Sequence, residues 1–248
     1  MKENDFFKAN YPFDFIMFST SHVVCIIILF IAAFAMYMFR DKIYANKRLK
    51  RSIRYTLIIC LILPEACLDI WYIGEKTWDI RTTLPLELCS ITLILSIIML
   101  YTRSYLLYQI LFFAGISGAL QAIMTPNLSY PFPHFRFFHF FIVHMAIILA
   151  PLYMTWVEKY KPTWKSIGLA MIFLNILLVF VGMIDFIVHA NYMFLMNKPN
   201  TASLLDFLGP YPYYLLSEEV IAFVFFIIMF VPFMIRKKKM SAYKPSTS

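Results

Sequence analysis

Residues 166–188 read SIGLAMIFLNILLVFVGMIDFIV, a run of 23 residues in which the only ionisable side chain is Asp185. Because an α-helix rises about 1.5 Å per residue, this run is long enough to cross the hydrocarbon core of a bilayer, which is about 30 Å thick. The chain as a whole is 61% hydrophobic and has a mean hydropathy of +0.72, whereas soluble domains contain roughly 45–50% apolar residues. The sequence therefore predicts an all-α polytopic membrane protein.

Similar apolar runs recur along the chain and predict one transmembrane domain that occupies residues 1–248. The seven predicted helices cover residues 15–39, 54–73, 84–101, 104–124, 136–157, 166–188 and 212–235. The fourth run is more polar than the others, but its Gly115 and Gly118 suit close helix packing. No internal repeat is evident, which disfavours a transporter built from paired halves.

The distribution of Lys and Arg predicts the orientation of these helices. Of the 22 basic residues, 16 fall on one side of the predicted bundle and 6 on the other. Cytoplasmic loops carry the excess of Lys and Arg in membrane proteins. We therefore expect the N-terminus outside and the C-terminus inside.

The basic and cysteine residues exclude several other classes of protein. The net charge of +8 comes from short blocks beside the apolar runs, which is typical of contact with anionic lipid head groups rather than with nucleic acid. The four cysteines all lie in apolar runs without a C-x-x-C pair, so we predict neither a disulfide framework nor a metal site. We also predict no cofactor, no removable signal peptide and no evident protein partner.

Polar side chains that could support chemistry are concentrated where the sixth predicted helix ends, in residues 185–214. Asp185 and His189 are four residues apart, a spacing that places both on one face of a helix. We expect them to organise a cavity at the outer face together with Asn191 and Tyr214, and residues 191–213 to fold over it as a lid. The alternatives are a helix-packing hydrogen bond for the Asp185–His189 pair and an interfacial aromatic belt for the loop.

Cys89 and the histidines of the fifth predicted helix are the candidates for catalysis. Cys89 lies near the outer end of the third predicted helix, two residues after Glu87. A thiol beside an imidazole can become a nucleophilic thiolate, although an intramembrane cysteine commonly serves packing alone. His134, His139 and His144 follow each other in steps of five residues. Such steps do not share one helix face, so this helix does not supply a three-histidine metal site.

Several blocks of the sequence resemble a known family. The blocks are LPLELCSI (84–91), FFAGISGALQAIMTPNL (112–128), FPHFRFFHFFIVH (132–144) and, after NYMFL and KP, SLLDFLGPYPYY (203–214). In this order they resemble the YwaF-like bacterial integral membrane family over roughly residues 80–235. That family is distantly similar to eukaryotic multi-pass acyltransferases, which move fatty acyl groups between phospholipids, and to membrane lipid hydrolases.

The resemblance implies a nucleophile on one helix and a histidine on another, which are Cys89 and His144 in this sequence. It implies a weaker role for His139. Membrane lipids would then be the acyl donor and acceptor, and the protein would be a multi-pass protein of the bacterial cytoplasmic membrane.

Three functions are consistent with these patterns. The first is a lipid-directed acyltransferase or hydrolase, in which Asn191, Tyr192 or the backbone near Pro126 would stabilise the oxyanion. The second is a small-molecule or ion transporter that uses the carboxylates within its predicted helices, which are Glu65, Asp69, Asp185, Glu218 and Glu219. The third is a seven-helix sensor, for which the short inside loops leave little surface. We rank the enzyme first and the transporter second.

Overall fold

The computed structural model describes residues 6–198 and 207–242, with side chains described as far as residue 235. Every regular element in this part of the chain is a helix. The helices are α1 (Thr20–Met38), α2 (Arg40–Ala45), α3 (Lys47–Gly74), α4 (Leu88–Thr102), α5 (Tyr105–Met124), α6 (Phe135–Trp156), α7 (Trp164–Val188) and α8 (Tyr213–Ala242). Six of them are long and apolar enough to cross a membrane, and α4 is a shorter apolar helix.

The long helices alternate in direction between two ends of the bundle. One end, which we call the aromatic face, gathers residues 6–19, 75–87, 125–134, 189–198 and 207–212. There the Trp71 indole donates to the Phe7 carbonyl and the Phe15 N–H donates to the Ser129 carbonyl. The opposite end, the basic face, consists of residues 39–50, 103–104 and 157–163. At this face Lys159 forms an ion pair with Asp41 at 2.7 Å.

Helices α5 and α6 form the centre of the bundle. They are the most buried of the candidate spans, whereas α1, α7 and α8 leave most of their apolar side chains on the surface. Such a surface is expected where a helix faces lipid tails. Gly118 of α5 lets Leu88 of α4 approach closely, because a Cβ at this position would lie 3.0 Å from the Leu88 side chain. A Cβ at Gly115 would make an ordinary contact with Ile147 of α6 at 3.7 Å. The prediction that the glycines serve close helix packing is therefore confirmed for Gly118.

The all-α membrane fold is confirmed, but some helix ends differ from the prediction. Helix α3 begins at Lys47 rather than near residue 54, because the Asn46 side chain accepts the N–H groups of Arg48 and Leu49 as an N-cap. Helix α4 begins at Leu88 rather than 84, because residues 84–87 are not helical. Its 15 residues extend for only about 22 Å. The preceding segment therefore completes this crossing.

Candidate functional site

Residues 189–198, which we call the cap segment, follow α7 at the aromatic face. His189 ends α7 in the left-handed conformation with φ 54°. The Asn191 side chain then closes the segment on itself. Its Oδ1 accepts from the N–H groups of Met196 and Asn197 at 2.9 and 3.0 Å, and its Nδ2 donates to the Asn197 carbonyl at 2.8 Å. The asparagine thus replaces several backbone hydrogen bonds that an irregular turn lacks.

Two carboxylates hold the middle of the cap segment. Asp185 Oδ1 accepts from the Tyr192 N–H at 3.0 Å, and Glu87 Oε2 accepts from the next N–H, that of Met193, at 3.1 Å. Asp185 is only 1% exposed, and its Oδ2 is buried without a hydrogen-bond partner among the described residues. Consecutive N–H groups of the cap segment therefore connect Asp185, in the last turn of α7, with Glu87, the residue before α4.

Two tyrosine hydroxyls complete this attachment. The buried Tyr192 donates to the Ile80 carbonyl at 2.7 Å and accepts from the Leu84 N–H at 2.9 Å. Burial raises the pKa of the Tyr192 phenol, so its hydroxyl remains a donor at neutral pH. Tyr214, which is fully buried in the first turn of α8, donates to the Phe194 carbonyl. The cap segment thereby fixes the chain that leads into α4.

The structure brings together most of the residues predicted at this face, which are Glu87, Asp185, Asn191, Tyr192 and Tyr214. The expectation that Asp185 and His189 share a helix face is wrong, because α7 ends at Val188 and the left-handed His189 lies exposed beyond it. The donors of Asn191 and Tyr192 are engaged within the cap segment and with residue 80. These side chains therefore stabilise the cap segment and its contact with residue 80, which argues against the oxyanion role expected for them. Residues 199–206 of the predicted lid lie outside the described residues.

Cys89 is the second residue of α4 and so lies in its first turn. Its thiol is free and half-buried. The backbone N–H groups of Leu88, Cys89 and Ser90 have no hydrogen-bond partner among the described residues, since the Glu87 side chain does not cap the helix. Free N–H groups and the positive end of the helix dipole favour negative charge at this position, whereas burial and the Glu87 carboxylate two residues earlier oppose it.

His144 lies in the middle of the buried face of α6 and is 7% exposed. Its Nδ1 donates to the Phe140 carbonyl at 2.7 Å, one turn earlier in the helix. This bond fixes the tautomer, so Nε2 carries a lone pair, and no described residue donates to it. A ring held in this state presents Nε2 as a hydrogen-bond acceptor.

The packing against α5 places Cys89 and His144 at similar depth. Gly115 of α5 lies against Ile147 of α6. Along α6, His144 lies three residues closer to the aromatic face than Ile147. Along α5, Gly118 lies three residues closer to the same face than Gly115, and it lies against Leu88, the neighbour of Cys89. Helices α4 and α6 also pack directly. No hydrogen bond joins the Cys89 thiol to the His144 imidazole among the described residues.

His139 forms a contact that the sequence pattern did not reveal. Its Nε2 lies 3.0 Å from Glu65 Oε2, which joins α6 to α3. Intramembrane ionisable groups are expected to find partners, yet neither spacing nor composition indicated that these two residues would meet. His22 was missed as well: in the first turn of α1 it accepts from the Phe18 N–H and donates to the Ile123 carbonyl.

An apolar groove runs along α7 between Met171 and Met183, and its lining includes Ile172, Ile176 and Phe180. Neither Cys89 nor His144 contributes to it. Several of these lining side chains are exposed, so this groove belongs to the surface expected to face lipid. The cavity expected at the aromatic face stays a prediction.

Comparison with known proteins places this helical bundle in a family. The model of the TMEM164 family matches residues 17–230, which is well over half of the chain. No curated protein and no solved structure gives a significant match. The matched range begins before α1 and ends within α8, and so it includes α4, α6 and the cap segment. The chain belongs to the TMEM164 family of multi-pass membrane proteins.

Proposed function

We propose that this protein is an integral membrane acyltransferase or lipid hydrolase that attacks phospholipid-like acyl esters with Cys89, and that His144 is the general base. The observation that carries the proposal is the state of the two side chains. A free thiol lies in the first turn of α4, and on the adjacent α6 an imidazole has its Nδ1–H committed and its Nε2 lone pair free. The resemblance to the YwaF-like family, which is distantly similar to phospholipid acyltransferases, implies the same pair.

In the first half-reaction, His144 Nε2 takes the proton of the Cys89 thiol as sulfur attacks the ester carbonyl. A C–S bond forms, the carbonyl oxygen becomes negative, and collapse of this intermediate breaks the C–O bond to the lipid alkoxide. The alkoxide takes the proton back from His144 and leaves as a lysolipid. The N–H groups of Cys89 and Ser90 are free to stabilise the oxyanion.

In the second half-reaction, an acceptor hydroxyl or amine, or water, attacks the acyl-thioester while His144 removes its proton. The thiol is regenerated, and an acyl acceptor or a fatty acid is released. An acyl chain would reach the site laterally from the membrane. Catalytic hydrogen bonds are often longer before substrate binds, so we expect the Cys89–His144 bond to form in the complex.

The proposal assigns the aromatic face to the outside of a bacterial cytoplasmic membrane. With that orientation, Cys89 lies in the first turn at the outer end of α4. Substrate would then come from the outer leaflet, where lipids are available as acyl donor and acceptor.

The transporter alternative has less support from the carboxylates on which it depends. Glu65 is paired with His139, and Asp185 Oδ1 holds the Tyr192 N–H. Glu219 Oε1 also accepts from Asn175 Nδ2 at 2.6 Å. Three of the five acids therefore have a structural role, and a transporter would depend on Asp69 and Glu218.

The test is trapping of an acyl-enzyme by the purified full-length protein. In detergent–phospholipid micelles with a radiolabelled acyl chain, we expect a protein-bound label that hydroxylamine removes. Cys89→Ala abolishes the label, and His144→Gln slows its formation by about 100-fold or more, the usual effect of losing a general base. Cys67→Ala, which also removes a half-buried intramembrane thiol, retains it.

Persistence of the label in Cys89→Ala would refute the nucleophile. Equal labelling rates for wild type and His144→Gln would refute the base. Helical content and melting temperature of each variant show whether a loss of labelling reflects chemistry or unfolding.

A further inference from the structure

Arg54 of α3 is a buried cation that has neither a hydrogen bond nor an ion pair among the described residues. Its side chain is 8% exposed, and Nε is fully buried without a hydrogen bond. No hydrogen bond or ion pair of its guanidinium is present among the described residues, and its nearest aromatic contact is the Tyr55 ring at 5.3 Å. Burial of a guanidinium is costly unless an anion or several acceptors compensate for lost water.

The Glu158 carboxylate, which lies at the same end of the bundle, is already engaged. Glu158 Oε2 lies 2.7 Å from Lys50 Nζ, and Glu158 Oε1 accepts from the Tyr153 hydroxyl at 3.2 Å. Both carboxylate oxygens thus have a donor. The pair of Lys50 and Glu158 is neutral as a unit, and it leaves the charge of Arg54 unbalanced.

A second arginine adds to this excess of positive charge. Arg103 ends α4 in the left-handed conformation with φ 56°, and its carbonyl accepts from the Tyr160 hydroxyl at 2.8 Å. The Lys50 carbonyl, one turn before Arg54 in α3, accepts from the Tyr153 hydroxyl at 3.1 Å, and the Tyr160 N–H donates to the carbonyl of Met154, the next residue of α6. The end of α6 therefore brings the start of α3 and the end of α4, which carry the two arginines, to the same part of the basic face. With Lys50 and Glu158 included, this part of the basic face carries a net charge of about +2 at neutral pH.

The position of the cluster indicates which anion fits it. The cluster lies where α3, α4 and α6 reach the basic face, at the level expected for lipid head groups. Guanidinium groups bind phosphate oxygens in a bidentate fork, which makes arginine the preferred residue for phosphate recognition. Tyrosine rings around the cluster, including Tyr44 within 5.0 Å of Lys50 Nζ, are also typical of the membrane interface.

We infer that Arg54 and Arg103 form a binding site for a phosphate group at the basic face, separate from the proposed Cys89–His144 site. A phospholipid head group and soluble phosphate share this chemistry, and the experiment distinguishes the two sources. The inference is independent of the proposed acyl chemistry and of the orientation of the protein.

The experiment measures the melting temperature of the purified full-length protein in detergent through tryptophan fluorescence. Short-chain phosphatidylglycerol is compared with diacylglycerol of the same acyl length, which lacks only the phosphate and its head group. A ligand that binds the folded state alone raises the melting temperature. For wild type we expect a rise of about 3 °C or more with phosphatidylglycerol and less than half of that with diacylglycerol.

Arg54→Gln removes the unbalanced buried charge and is expected to lose most of this rise. Its melting temperature without added lipid stays at or above that of wild type, whereas loss of a purely structural arginine would lower it. Arg51→Gln, which removes an exposed arginine one turn earlier in α3, keeps the rise. Arg103→Gln removes an exposed side chain of the site and weakens the rise without affecting the core.

The melting temperature is also measured with inorganic phosphate, and chloride at equal ionic strength is the control. This comparison identifies the source of the bound phosphate group. A rise with phosphatidylglycerol alone assigns the site to a lipid head group, and an equal rise with inorganic phosphate assigns it to a soluble anion. The inference is overturned if Arg54→Gln and Arg103→Gln keep the full rise, if Arg51→Gln loses as much as they do, or if diacylglycerol acts as strongly as phosphatidylglycerol.

Discussion

His134 is buried at the start of α6 and uses both ring nitrogens as a neutral imidazole. Nδ1 accepts from the Arg136 N–H at 3.1 Å, which caps the helix, and Nε2 donates to the Lys8 carbonyl at 3.0 Å. The ring stacks on Tyr130 with centroids 4.2 Å apart. Burial holds the pKa of His134 below its ordinary value of 6.5, and the nearby Arg136 charge acts in the same direction.

This geometry predicts a loss of stability in acid. Because the pKa of His134 is lower in the folded state than in the unfolded state, its contribution is complete above about pH 6.5 and falls as the pH decreases. Protonation would also place a proton on Nδ1 and abolish the helix cap, which is worth about 1 kcal/mol. We expect the melting temperature to fall between pH 7.5 and pH 5, and to fall less steeply in His134→Gln.

His189→Gln is the matched control, because it removes an exposed histidine without a contact among the described residues. Its pH profile should follow that of wild type. Glu75 opposes the downward shift in the pKa of His134. The slope of melting temperature against pH therefore reflects the combined effect of burial, Arg136 and Glu75 on His134. Identical slopes for wild type and His134→Gln would contradict the assignment.

The cap segment depends on Tyr192 for its connection to the chain before α4. Tyr192→Phe leaves the Ile80 carbonyl and the Leu84 N–H without their partner, at a cost of about 1–3 kcal/mol. We expect the melting temperature to fall by about 2–10 °C. Amide hydrogen exchange should accelerate in residues 80–86 and 191–196 before it changes in α5 and α6, because the segment opens locally.

Tyr213→Phe, which removes an exposed hydroxyl at the start of α8, is expected to leave both measurements unchanged. Uniform acceleration of exchange across α5 and α6 in Tyr192→Phe would show that the cap segment and the bundle unfold together. The cap segment would then not open independently of the bundle, in contradiction to this prediction.

The helices could be predicted from the sequence because long apolar runs leave the chain few alternatives in a bilayer. Their ends were less predictable, since a cap depends on single side chains. Asn46 extends α3 through a strongly basic stretch that hydropathy assigns to a loop. Residues 84–87 are apolar enough to resemble a helix, but Pro85 and the bonds to the cap segment keep them out of α4.

The candidate site was predictable in its membership but not in its contacts. Polar groups that remain among apolar runs point to a site, as Glu87, Asp185 and Tyr192 did. Their partners are largely backbone groups 7 to 112 residues away along the chain, and no local pattern encodes such pairs. The Glu65–His139 pair joins residues 74 positions apart for the same reason. The sequence likewise does not show that Arg54 is buried without a hydrogen bond or ion pair among the described residues, since this depends on the packing of α3.

The bundle separates its charges between two faces, and this separation predicts how it lies in the membrane. In the sequence, 16 of the 22 Lys and Arg residues fall on the side of the predicted bundle that includes the basic face, and 6 fall on the other side. An inner leaflet rich in anionic lipid attracts such basic segments by about 1 kcal/mol per residue near its surface. This difference favours the basic face in the cytoplasm, with the cap segment at the outer surface and the start of α4 on the same side, at the depth of His144.

Labelling of single cysteines tests this orientation in intact cells. In a variant whose four native cysteines are replaced by alanine, a membrane-impermeant maleimide should modify Lys76→Cys at the aromatic face. It should modify Lys161→Cys at the basic face only after the membrane is permeabilised. Both positions are exposed, so reactivity reports the side of the membrane rather than burial. The reverse labelling pattern would place Cys89 near the cytoplasm, and the acyl substrate of the proposed reaction would then have to come from the inner leaflet.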